Sequence, residues 1–141
     1  MSDFYKYFKE NMDALDLPAP ENLYGSVTTA QASITGMLVY IDKFGTKVSV
    51  LDLIDAGTNL ERLATVGAVQ GAYYIGAAIG SLAVATGRTL AGGTSLSDVL
   101  FEASRWKLKR DWLLPLLHRN PAIYDASVPG RKYHKLYDNF K

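Results

Sequence analysis

Cysteine is absent from the 141-residue chain, which excludes disulfide stapling and thiolate metal centres. Histidine occurs only as His118 and His134, a separation that fits no zinc motif, so no metal or other cofactor is expected. No G-x-S-x-G elbow occurs. The glycine-rich stretch RTLAGGT at 88–94 lacks the Lys-Ser/Thr ending of a phosphate loop and reads as a connector between helices. Asp52 and Asp55 would share a helical face, but no His, Lys or third carboxylate accompanies them, so they read as a solvated surface. No Ser, Thr or Asp sits with a recognisable base and orienter. The expectation is a protein that is not an enzyme and has no catalytic residues. The amino-terminal MSDFYKYFKENMD lacks a basic stretch followed by an apolar one, so no conventional secretory signal is expected.

The most informative absence is charge in mid-chain. No charged residue occurs between Arg62 and Arg88. Small residues lie there in rows: Ala64, Ala68, Ala72, Gly76 and Gly80 recur at every fourth position, on one helical face. Gly67 with Gly71, and Gly76 with Gly80, make two G-x-x-x-G steps. Such a face lets another backbone approach closely. Each internal glycine weakens a helix by about 1 kcal/mol relative to alanine, so tight packing must offset several of them. The run exceeds the ~20 apolar residues that span a bilayer core. Gln70, Tyr73, Tyr74 and Ser81 interrupt it, and alanine and glycine add little transfer energy. Burial at the centre of a soluble bundle and insertion into a bilayer both fit.

The segment resembles the glycine-zipper type of membrane helix through Gly67, Gly71, Gly76, Gly80 and the adjoining alanines. The resemblance is to a motif and covers about a sixth of the chain. It implies that Gly67, Ala68, Gly71, Ala72, Gly76 and Gly80 form a helix-packing surface, and that self-association or other membrane helices are partners.

Around this stretch the pattern is helical throughout. Ser2 to about Leu15 carries an aromatic stripe of Phe4, Tyr5, Phe8, Met12 and Leu15, for core packing or interfacial anchoring. Pro18 and Pro20 end that helix, leaving Leu17–Gly25 as a connector. Ser26 to about Phe44 follows, with Ala32 and Gly36 as a second small pair able to pack on the central helix, and Gly45 as a C-terminal cap. Ser49–Ala56 reads as a short helix. Thr58 and Glu61 form a capping box for a helix from Asn59 to about Gly87, about 43 Å long at 1.5 Å per residue. Ser95 opens a basic amphipathic helix that Pro115 should kink or divide. After Asn120 the pattern breaks into a basic, aromatic tail at about 121–141.

The predicted fold is therefore all-α: a single domain over 1–141, with four to five helices in a bundle or hairpin around one long Gly/Ala-rich central helix. Charge is uneven along it. Residues 1–100 carry six Lys/Arg against ten Asp/Glu, and residues 101–141 carry nine against four. Within the basic end, Arg105, Trp106, Lys107, Lys109, Arg110 and Trp112 are candidate membrane-surface residues that would draw the chain to anionic lipid. The same helix also fits a solvated bundle face, and a nucleic-acid contact is the least favoured of the three readings. The leading functional expectation is a membrane-associated protein, soluble before insertion, whose small-residue helix inserts or packs in a bilayer, as in a pore-forming or depolarising effector. A non-catalytic accessory subunit of a membrane complex and a soluble helical interaction module are the alternatives.

Overall fold

The computed structural model describes residues 3–17, 19–48, 71–87 and 95–125. Among them the chain is helical without strands: α1 (Asp3–Ala14), α2 (Glu21–Tyr24), α3 (Val27–Phe44), α4 (Gly71–Gly87), α5 (Leu96–Arg105) and α6 (Leu113–Arg119), then a 3-10 turn at Pro121–Ile123. The six helices pack together, and α4 touches α1, α3, α5, α6 and the 3-10 turn. The expected helix at Ser49–Ala56, the capping box at Thr58 and Glu61, the first part of the long helix (59–70), the 88–94 connector and the tail beyond Asp125 lie outside the described residues.

The aromatic stripe of α1 faces inward. Phe4, Tyr5, Phe8 and Met12 are buried, and Leu15 packs beside them, so the stripe packs into the bundle. The helix stops in a Schellman arrangement. Asp16 takes φ 60°, its N–H donates to Asp13 O (3.0 Å), and the Leu17 N–H donates to Met12 O (3.0 Å). Leu17 is buried after the turn.

Two expectations about boundaries are corrected. The stretch 17–25 is not wholly a connector, because Glu21–Tyr24 forms one helical turn. Pro20 stands at its N-cap with φ −63° and ψ 140°, and its carbonyl accepts from the Leu23 and Tyr24 N–H groups. A single turn has no room for a periodic pattern. The basic helix also breaks earlier than Pro115. It ends at Arg105, where Lys107 adopts φ 60° and the Lys107 and Leu108 N–H groups close onto Ser104 O and Ala103 O. This is a second Schellman end with lysine in the place glycine usually takes. Pro115 lies instead in the first turn of α6, where a missing N–H removes no helical bond.

α3 starts at Ser26, whose Oγ accepts from Thr29 N–H at 3.1 Å, and ends at Gly45 with φ 99°. Its inward face is Ala30, Ile34, Met37, Leu38 and Ile41. The expected small-residue contact with the central helix is not made through Ala32 and Gly36. Both are exposed, and a Cβ added at Gly36 would meet nothing within 4 Å. The large residues at the other positions win because they bury more apolar area.

α4 is buried almost all round: Gly71, Ala72 and every residue from Tyr74 to Ala85. A helix apolar on every side must be surrounded on every side, and the five elements packed on it do this. α2 is locked to it by a polar pair. Tyr24 Oη and Tyr74 Oη lie 2.9 Å apart and both side chains are fully buried, with the Tyr24 ring stacked on Phe8 at 4.4 Å. Burial pushes the Tyr74 hydroxyl up to about 12 and the Tyr24 hydroxyl well above its ordinary value, so both stay neutral. Tyr24→Phe should cost about 1 kcal/mol, the worth of one buried hydrogen bond, and a double-mutant cycle with Tyr74→Phe, read by urea denaturation, should show a coupling of about that size.

Candidate functional site

The candidate site is the glycine face of α4 and what covers it. Gly71 and Ala72 are buried on the first turn described, and the Gly71 N–H donates to Val48 O at 2.7 Å. Gly76 and Gly80 lie one and two turns further on. A Cβ on Gly76 would fall 2.3 Å from Leu116 Cδ2 of α6. A Cβ on Gly80 would fall 2.5 Å from Ile123 Cγ2 and 3.3 Å from Ile123 O. The absence of side chains at these two positions is therefore used within the chain: α6 and the 3-10 turn lie in the space. Gly67 and Ala68, the remaining predicted members of the row, are outside the described residues.

A polar node fastens this cover. Asn11 of α1 is fully buried, and its Nδ2 donates to Ser81 Oγ (2.8 Å) and to Ile123 O (2.9 Å). One amide thus joins α1, α4 and the 3-10 turn beside Gly80. Among the described residues no buried side-chain nitrogen or oxygen lacks a partner. The sequence held a signal for Asn11: it falls on the apolar face of α1, between Phe8 and Met12. A polar residue on a buried face needs a partner, but the sequence alone does not show which.

The basic residues divide by what holds them. Arg110 is bidentate to Asp42 in the last turn of α3, with Nε to Oδ1 at 2.9 Å and Nη2 to Oδ2 at 2.9 Å. The guanidinium holds the Asp42 carboxyl below the usual carboxylate range and also offsets an anion at a helix C-terminus. Arg105 reaches Glu102 at 3.5 Å and lies over the Trp106 ring, 5.1 Å from its centroid. Trp106 Nε1 donates to Glu102 Oε2 at 2.8 Å, and both Trp106 and Trp112 pack against the core. Lys107 and Lys109 are exposed and make no ion pair among the described residues. The six predicted surface residues therefore do not act as one exposed patch. Two lysines face solvent, while Arg110, Trp106 and Trp112 are partly buried against the bundle.

The depressed Asp42 pKa carries a sign. A carboxyl lowered in the folded state contributes stability that is present above its unfolded pKa and lost as pH falls through the folded one. The pair is partly exposed, so its effect is small. Asp42→Asn should remove the acid-side difference, leaving a flatter melting temperature below pH 4 relative to the parent chain.

Among the described residues no helix is long and apolar enough to cross a membrane, and the 59–70 part of the expected span lies outside them. No group of three or more metal-ligating side chains occurs among those residues. No family model, curated protein or solved structure matches this chain.

Proposed function

We propose that the protein is a non-catalytic, membrane-acting helical protein, folded so that its Gly/Ala helix is sheathed in water and engages a bilayer once the sheath opens. In this reading a bundle surrounds one long central helix that continues before Gly71. One observation carries the proposal: a helix with no charged side chain is buried on nearly every face inside a chain of only 141 residues. A helix apolar all round belongs in a protein core or in a membrane. The charge-free sequence runs from Leu63 to Gly87, more than the ~20 residues a span needs. Lys107 and Lys109 supply exposed positive charge for anionic headgroups, and self-association through the glycine face follows.

The test is dye release from vesicles of phosphatidylglycerol and phosphatidylcholine. Micromolar protein should empty the anionic vesicles and leave purely zwitterionic ones slower to leak. Vesicles of both kinds that stay intact would rule the reading out.

A second reading has one observation in its favour. The Asn11–Ser81 and Tyr24–Tyr74 links satisfy the polar atoms of α4 inside the fold, as a permanently soluble interaction module requires. A monomer in detergent-free buffer with no lipid binding would select it.

A further inference from the structure

We propose that the C-terminal end of α3 and the 107–111 loop together form a docking surface for anionic lipid headgroups. The inference rests on the membrane-acting reading and names the face of the folded chain that meets the bilayer first.

One guanidinium assembles the surface from two distant stretches. Arg110 donates through Nε and Nη2 to Asp42 in the last turn of α3, and through Nη1 to the Lys109 carbonyl at 3.0 Å. The loop backbone is thereby fixed beside the α3 terminus. Lys107, left-handed at φ 60°, turns the chain out of α5 toward that position. Lys107 and Lys109 then lie close to Lys43, which follows Asp42, and to Lys47, just past the Gly45 cap. All four lysines are exposed, and none makes an ion pair among the described residues. Asp42 is paired with Arg110, so within 39–47 and 107–111 Asp111 alone opposes them.

Apolar side chains share this surface. Val39 is 60% exposed and Phe44 is 56% exposed. Val39 lies one turn before Lys43 on the outward side of α3, and the Lys43 ammonium sits 5.3 Å from the centroid of the Phe44 ring. The exposed positions of α1 are Asp3, Lys6, Lys9 and Asp13, all charged, as an ordinary solvated face is. Large apolar groups left in water beside unpaired lysines suit a boundary that is anionic outside and apolar beneath. The free cations also favour lipid over nucleic acid. Arg105 and Arg110, whose planar groups grip phosphate bidentately, are engaged with Glu102 and Asp42. The lysines that remain are point charges, suited to the diffuse negative field of a bilayer surface.

The test is co-sedimentation of the full-length chain with vesicles of phosphatidylglycerol and phosphatidylcholine. Lys43→Gln/Lys109→Gln should weaken binding about tenfold or more, whereas Lys6→Gln/Lys9→Gln, which removes the same charge from α1, should change it less than about threefold. Phe44→Ser should weaken binding roughly five- to tenfold, and that loss should persist in about 0.5 M salt, where the lysine effect fades. The substituted side chains are all exposed, and urea midpoints close to the parent's confirm that the fold is kept. Equal losses from the two lysine pairs, or no loss from either, while the parent chain still binds, overturn the docking surface and leave the membrane-acting reading standing. A lysine-dependent loss that Phe44→Ser does not share also overturns it, and displacement of the vesicles by a single-stranded oligonucleotide then assigns the patch to nucleic acid. A parent chain that binds neither anionic nor zwitterionic vesicles overturns both. Patch-dependent binding without dye release upholds the docking surface and overturns the membrane-permeabilising reading.

Discussion

Asn11→Asp is expected to destabilise the fold by about 4 kcal/mol at pH 7, although it changes a single amide to a carboxylate of the same shape. The aspartate would sit fully buried, facing Ser81 Oγ and the Ile123 carbonyl. The carbonyl oxygen repels a carboxylate where it accepted a hydrogen bond from the amide. Such a carboxyl has its folded pKa raised by roughly three units, each about 1.4 kcal/mol. The sign follows from proton counting. Between the unfolded and folded pKa values the native state binds more protons than the unfolded state, so stability falls as pH rises. Relative to the parent chain, the variant should be nearly intact near pH 4, lose ground steadily up to about pH 7 and then level off. Urea denaturation across this range reads it directly. A pH-independent difference below about 1 kcal/mol would mean that water reaches position 11, and the node would not be the dry junction described.

The second large effect is at Gly76. A leucine there should cost about 3 kcal/mol through overpacking, despite a gain in helix propensity of under 1 kcal/mol. Its Cβ alone would lie 2.3 Å from Leu116 Cδ2, with Ile123 Cδ1 at 3.9 Å, and three further carbons must be fitted beside them. Leu116→Ala in the same chain should recover part of the loss, with a coupling of about 1–2 kcal/mol in a double-mutant cycle. The alanine variants should separate the two glycines. At Gly76 the obstructing atom is the free end of a leucine, which can rotate away, so Gly76→Ala should be near neutral. At Gly80 the neighbours are a β-branched methyl and a backbone oxygen at 3.3 Å, which yield less. Gly80→Ala should therefore be destabilising. Equal stability of Gly76→Leu and the parent chain would show that this row is not a contact face.

Much of the helical content was legible because it rests on local rules. The aromatic stripe of α1, the Ser26 cap and apolar face of α3, and the Ser95 start of α5 follow from period 3.6 and capping chemistry. The misread boundaries have local causes of a rarer kind. Lys107 and Asp16 hold positive φ without being glycine, and α2 is too short to show periodicity. Gly76 and Gly80 could be picked out as positions of close approach, but not their partner. The spacing points to another helix, in a bilayer or in a soluble bundle, whereas in the fold Leu116 and Ile123, about 40 residues along the same chain, lie against these glycines. The basic stretch misled in a similar way. Its charges are visible in sequence, but Arg110 is bound to Asp42, 68 residues away.

The sequence by itself determined that this chain is helical, that its middle carries no charge, and that two glycines there leave room for something to come close. Those properties depend on residue type and on spacings of three and four, which act over one or two turns. Only the tertiary structure decided what comes close, which amide joins three elements, and which basic side chains are bound to the bundle. Those outcomes depend on contacts between residues far apart in the chain, where close packing and the need to pair every buried polar atom select one arrangement from many that the local pattern allows.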